Sequence, residues 1–168
     1  GFVFQQAHLV SNLTLFENVA VPGYLKKARS VADTRAIAQT LVERMGLGAD
    51  AHHLPSQASG GQQQRCAVAR SVVNDPDIVF ADEPTGALNR ANTLEVLALL
   101  GELNASGQSI CMVTHDVFCA LRASRVLYLE DGSIKGELEL PAFRADGDAA
   151  YLKARDTQVN AWLSSPAW

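Results

Sequence analysis

The chain has 168 residues, 48% of them hydrophobic, and a formal net charge of −4. At about 150 residues per domain this is one domain with material for a sizeable core, and wholesale disorder is excluded. The mild acidity argues against a nucleic-acid clamp working by charge neutralisation, and no apolar run reaches the roughly 18–20 residues of a membrane-spanning helix.

Gly1 to Gln5 reads as the end of a short strand running into a loop. Thr14 through Glu17 fits a capping box, hydroxyl and carboxylate each reaching the other residue's backbone amide. The helix that follows is expected to break near Pro22-Gly23. From Ser30 to Met45, the residues Val31, Ala38, Leu41, Val42 and Met45 recur at helical spacing, with Gly46 placed to end the helix. Leu47 to Ala58 reads as a polar loop. Ser59 to Asn74 reads as a helix opening Ser-Gly-Gly and stopped by Asp75-Pro76. Ile78 to Ala81 is a short apolar run that suits a buried parallel strand.

Asn89 to Ser106 carries Leu94, Val96, Leu97, Leu99, Leu100 and Leu103 on a broad apolar helical face ending at Gly107. Ile110 to Val113 is a second buried strand, and Val117 to Ala123 a short helix. Arg125–Glu130 and Ser133–Leu140 flank Asp131-Gly132, a hairpin signal. The tail from Asp146 to Ser164 reads as helix, with Tyr151, Leu152, Val159, Trp162 and Leu163 as anchors; Trp162 and Trp168 are expected to pack. Strands alternating with helices give a layered α/β core, with a helical subdomain inserted.

The cysteines Cys66, Cys111 and Cys119 form no CxxC and no zinc pattern, and read as reduced thiols acting as small core hydrophobes of a cytosolic protein. Adjacent His52 and His53 lack further metal ligands and read as loop or surface residues. The N-terminus has no secretory signal. The chain opens Gly1-Phe2-Val3-Phe4 and its first methionine is Met45, which is expected of a processed product or a piece of something longer.

Four places carry chemistry. Ile78–Ala81 delivers Asp82 and Glu83 at a strand's C-terminal end, where open α/β sheets bind ligands. One carboxylate suits Mg²⁺ and its neighbour can polarise a water; a loop with two solvated acids is the plainer alternative. Ser59-Gly60-Gly61-Gln62 presents an N-cap and free amides to which another molecule's anion could come close, or is an ordinary glycine-containing helix start. Two glycines weaken a first turn by about 1 kcal/mol each, which a purely structural start has little reason to carry. His115 follows the second strand, and Gln5 follows the first apolar run; each alone is more simply structural.

In this order, Phe4-Gln5, Ser59-Gly60-Gly61-Gln62, Asp82-Glu83-Pro84-Thr85 and Thr114-His115-Asp116 closely resemble the ATP-binding domain of ABC transporters, over roughly Gly1 to Gly136. Thr85-Gly86 and Gln63-Gln64-Arg65 look most like the lipoprotein-releasing, macrolide-export and antimicrobial-peptide-resistance branch. The resemblance implies a P-loop NTPase (RecA-like) core of ABC type, incomplete at the N-terminus. It divides the chain into an ATPase portion over 1–140, with a helical subdomain over about 14–75, and an extension over 141–168.

By the same resemblance, Gln5 senses Mg²⁺ and the γ-phosphate near the membrane subunit. Ser59, Gly60, Gly61 and Gln62 touch the γ-phosphate of ATP held by the opposite subunit of a head-to-tail dimer. Asp82 supports Mg²⁺, Glu83 is the catalytic base, and His115 contacts the γ-phosphate. The implied partners are a transmembrane permease and a second ATPase subunit, with no nucleic acid; the implied location is the cytoplasmic face of the cell membrane. Phosphoryl transfer of this kind needs positioning and charge stabilisation.

The sequence departs from the family at Ala58, where Leu is usual, at Asn89, where Asp is usual, and at Ser124, where Asp is common. Ala58 is expected to loosen the helix start, and Asn89 to weaken coupling between the two sites. The family's phosphate cradle, G-x-x-x-x-G-K followed by Ser or Thr, is absent; none of Lys26, Lys27, Lys135 and Lys153 follows a glycine. The chain is therefore expected to be a C-terminal fragment, inactive alone and prone to self-association through open sheet edges. The alternatives are a non-catalytic interaction module docking through Thr14–Ala58, or a soluble ABC-type ATPase not tied to transport.

Overall fold

The structure, a computed structural model, describes residues 1–165. The chain forms two compact units, Gly1–Val113 and a second from Thr114 onward. Trp168 lies outside the described residues.

The first unit is built on a parallel sheet of β1 (Phe2–Val3), β2 (Ile78–Asp82) and β3 (Ser109–Val113), in that spatial order. Register runs Phe2 to Phe80 on one side of β2, and Ile78 to Ser109 through Asp82 to Val113 on the other. Parallel neighbours require crossovers. The first contains α1 (Leu15–Lys26), α2 (Val31–Arg44) and α3 (Gly60–Val72); the second is α4 (Arg90–Ala105).

Thr14 caps α1 through the expected reciprocal box. The Thr14 amide, 2.8 Å from Glu17 Oε2, followed by the Thr14 hydroxyl, holds the Glu17 carboxyl below its usual range. The amides of Leu15 and Phe16 donate to the carbonyls of His53 and Ala51, each at 2.9 Å. Thus the loop before Ser59, which contains 3-10 turns at Gly48–Asp50 and Pro55–Gln57, closes the start of α1. His52 and His53 are exposed, as expected.

The break expected at Pro22-Gly23 does not occur: α1 continues to Lys26 and ends on left-handed Lys27, φ 53°. Tertiary contacts override the local penalty. Asn74 Nδ2 donates to the Pro22 carbonyl at 3.0 Å. Gly23 lies so close to α2 that an added Cβ would meet Thr34 Cγ2 at 2.5 Å.

Buried Asn18 uses its whole side-chain amide. Its Oδ1 accepts from Val10 N at 2.8 Å, and its Nδ2 reaches the carbonyls of Val10, Leu13 and Thr14 at 3.0–3.1 Å. One side chain therefore fixes the turn leading into α1.

The core sits between the helices and one face of the sheet, and includes Val3, Leu15, Val19, Val42, Met45, Val68, Val79, Ala81, Val96 and Leu100. The opposite face departs from the expectation of fully buried strands. Phe2 is 60% exposed, Phe80 43% and Val113 61%, and Cys111 is exposed beside them. The strand period of two places these residues together, and parallel sheets ordinarily have both faces covered. Phe2 stacks on Phe4 and on Phe80, with centroids 6.0 and 5.6 Å apart. Cys66 and Cys119 are buried as expected, and desolvation pushes the Cys66 thiol up to about 12. Cys111 points to the open face instead.

In the second unit, α5 (Val117–Ala120) precedes the antiparallel hairpin of β4 (Arg125–Glu130) and β5 (Ser133–Glu139), and α6 (Ala149–Leu163) follows. Left-handed Asp131 and Gly132, φ 49° and 72°, make the turn. Leu121, Leu140 and Val159 form the core. Of the expected anchors, Val159 is buried, Tyr151, Trp162 and Leu163 are half-buried, and Leu152 is exposed. A residue the periodicity did not suggest carries much of the docking. Buried Arg155 donates to the carbonyls of Leu121, of Ala123 at 2.6 Å and of Pro141 at 2.8 Å.

Replacing Asn18 by Ala leaves buried backbone groups without partners and should lower unfolding free energy by about 3 kcal/mol, read from urea midpoints. A change within about 0.5 kcal/mol would show that water replaces the amide there.

Candidate functional site

β2 ends in exposed Asp82, and the next residue, half-buried Glu83, takes a left-handed backbone with φ 45°. That conformation costs a non-glycine residue about 1 kcal/mol or more. It is held by an extension of the ladder, the Glu83 amide donating to the Val113 carbonyl at 2.9 Å. The chain then turns tightly, with Gly86 N on the Glu83 carbonyl and Leu88 N on the Thr85 carbonyl, both at 3.0 Å. Asn89 ends the turn by capping α4, its Oδ1 accepting from Asn92 N at 3.0 Å. The side chain at the Asn-for-Asp departure is thus an N-cap.

Gln5 comes to this turn from β1. A Cβ on Gly86 would meet Gln5 Nε2 at 3.0 Å and Gln5 Cδ at 3.3 Å. The Gln5 amide lies over Gly86, so residues about 80 positions apart, Gln5 and Asp82-Glu83, share one corner at the carboxyl edge of the sheet. An exposed carboxylate and an amide carbonyl are hard oxygens. This donor set fits a cation such as Mg²⁺ that takes one or two protein oxygens and leaves its other positions to water or phosphate.

Ser59 caps α3 with a reciprocal box: Gln62 N donates to Ser59 Oγ at 3.2 Å, and Ser59 N to Gln62 Oε1 at 2.7 Å. Gln62 Nε2 continues to Asp50 Oδ2 at 2.7 Å, and Gln63 Nε2 reaches the carbonyls of Pro55 and Ala58 at 2.9 and 3.0 Å. The helix start after Ala58 is therefore closed, contrary to the loosening expected there. Both polar ends of Gln62 are engaged within the chain, so the turn presents outward its backbone and the exposed Ser59 hydroxyl.

The two glycines differ. A Cβ on Gly61 would meet Asn92 Cγ and Oδ1 at 2.5 Å, whereas one on exposed Gly60 would meet only Leu88 Cδ2 at an ordinary 3.8 Å. Packing within the chain accounts for Gly61 and leaves Gly60 without a structural reason. One turn farther on, Arg65 pairs with Glu95, fastening α3 to α4 again.

His115 opens the second unit, two residues past β3. It is exposed and lies between Thr114 and Asp116; Asp116 caps α5 by accepting from Phe118 N at 2.8 Å.

Sequence reasoning missed the side chains that hold these motifs: Asn18, Asn92, Gln64 and Arg70. Gln64, 2% exposed alongside buried Cys66, Ala67 and Val68, lies in the polar run Gln62 to Arg65, which gives no local sign of its burial. Among the described residues, no helix is long and apolar enough to cross a membrane.

Residues 1–86 match the family model described as "ABC transporter". The chain is 46% identical over 155 residues to a macrolide export ATP-binding/permease protein MacB of Hyphomonas neptunium, covering 92% of this chain and 24% of that protein. It is 47% identical over 146 residues to MacB 1/2 of Paracoccus denitrificans, covering 87% and 22%. The chain thus spans about a quarter of the length of the curated relatives it matches. A dimeric, post-hydrolysis structure of the ATP-binding cassette MJ0796 bound to ADP and Pi superposes with a TM-score of 0.73 at 41% identity, covering 85% of this chain and 63% of that one.

The asymmetry of the glycines is testable by thermal unfolding. Gly60→Ala should leave stability unchanged or raise it by up to about 1 kcal/mol, because Ala is the better helix former. Gly61→Ala should lower it by about 1–3 kcal/mol through overlap with Asn92. Equal effects at the two positions would contradict the packing described.

Proposed function

The chain belongs to the ABC transporter family, and from that premise we propose that it acts as the ATP-binding component of a transporter, coupling ATP hydrolysis to export or extraction of a substrate by a partner membrane protein. The observation that supports this reading is the Gln5 amide lying over Gly86, in the turn that follows Asp82 and Glu83. In this reading an amide, a carboxylate for a cation and a candidate base come to one sheet corner.

In this reading Asp82 and Gln5 would hold Mg²⁺, which when bound neutralises charge on the phosphates. Glu83 orients and polarises the attacking water, its position fixed by the ladder bond to Val113. Ser59, Gly60, Gly61 and Gln62 face the γ-phosphate of ATP on a second ATPase subunit in a head-to-tail dimer. The bare surface of Gly60 leaves room for that approach, and Gln62 serves by locking the turn so that its amides stay aimed. His115 is assigned the role of a γ-phosphate contact.

Residues 1–140 are assigned to the ATPase portion and 141–168 to an extension. The component works at the inner face of the membrane beside a permease, and the names of its relatives favour macrolide-type cargo.

The 168 residues contain no phosphate cradle, so the chain by itself should not turn over ATP. Phosphate release from ATP by the isolated chain should equal that of its Glu83→Gln variant. Joined to a segment bearing the cradle, the chain should gain turnover, and Glu83→Gln should then lower it about 10²–10⁴-fold. Turnover by the isolated chain above the variant's would overturn this assignment.

The open apolar face of β1–β3 supports self-association of the chain in a form distinct from the ATP-dependent dimer. Light scattering at micromolar concentration should give a mass above the 18.0 kDa of one chain without nucleotide. Phe80→Glu should bring the mass down. A monomer across that range would refute self-association.

A further inference from the structure

Helix α3 does more than present Ser59–Gln62. Two of its later side chains reach across to the irregular segment after β1. Gln64, 2% exposed, donates from Nε2 to the Phe4 carbonyl at 2.8 Å. Arg70 donates from its two terminal nitrogens to the carbonyls of Ala7 at 2.6 Å and His8 at 2.8 Å. His8 has a left-handed backbone, φ 44°, where the segment turns. Gln5 lies between these attachments, with its own side chain against Gly86 on the other side.

We propose that Gln64 and Arg70 are positioning residues for Gln5, fastening the backbone before and after it to the helix whose first turn is Ser59–Gln62, so that the two motifs move as one body. The functional meaning rests on the reading above, in which both motifs act at nucleotide phosphates. The mechanical claim rests on the bonds alone. Among the described residues, Gln64 is the one side-chain donor to the Phe4 carbonyl. The planar fork of Arg70 spans two successive carbonyls, which the single ammonium of a lysine does not match. A shift of the Ser59 turn is thereby delivered to the backbone around Gln5 through a rigid helix.

The test uses the whole chain without nucleotide, by NMR relaxation of the backbone amides and by the resonances of the Gln5 side-chain amide. In Gln64→Leu and Arg70→Met, the order parameters of residues 5–9 should fall from rigid values to below about 0.6, while those within α1 stay at about 0.85. The Gln5 amide resonances should move toward those of a free glutamine, and Arg70→Lys should recover only part of the effect. Unchanged order parameters over residues 5–9 in folded variants would overturn the proposal, as would a fall spread evenly over the unit. Should either α3 variant fail to fold, Gly86→Ala decides. It displaces the Gln5 side chain and leaves the α3 bonds intact, so the resonances should shift without a fall in backbone order; an equal fall there would show that α3 does not hold the segment. Because these readouts need no nucleotide, they are separate from phosphate release, which alone would report failure of the ATP reading.

Discussion

Backbone carbonyls seek donors, and the stretch from Phe4 to Leu13 has neither helix nor ladder to supply them. Its solution is to borrow side chains from the helix that follows it and from one about 60 residues farther on. Asn18 serves Val10, Leu13 and Thr14; Gln64 serves Phe4; Arg70 serves Ala7 and His8. Most of what matters in the first unit follows from that loan. It brings Gln5 to the sheet corner, ties that corner to α3, and sets the entry into α1. The site is therefore supported from outside the sheet, and its geometry is only as firm as the helices that lend the donors.

The same helices meet at close quarters. Gly61 admits Asn92, Asn92 is capped by Asn89, and Asn89 ends the turn that begins at left-handed Glu83. These contacts form a continuous path from the first turn of α3 to the carboxyl end of β2. The strain at Glu83 is held by a ladder bond on one side and a tight turn on the other. Rigid supports of this sort let a carboxylate keep one orientation.

The sequence made the short-range features legible. Thr14 with Glu17, Ser59 with Gln62, Asn89 before its helix and Asp131-Gly132 all act within three or four residues, so their spacing reveals them. The order of motifs was readable as a family pattern because chemistry restricts residue types there. What stayed hidden depends on contacts across the chain. Pro22 remains helical because α2 and Asn74 hold α1 in place. Gln64 and Arg70 have partners some 60 residues away, and nothing local marks them as anything but polar helix positions. The exposure of Cys111, Phe80 and Val113 could not be read from apolar runs, since such runs announce a strand without saying how many of its faces are covered.

Arg155 sets an order of events. It sits on α6, and α6 comes after every carbonyl it serves: Leu121, Ala123 and Pro141. Synthesis runs from the N-terminus, so α5 and the hairpin leave the ribosome before their buried donor exists. Until α6 emerges and docks, those carbonyls rely on water, and the Leu121–Leu140 core lacks Val159. The second unit is thus completed only when α6 arrives, by a single cation docking into a cage of oxygens already made.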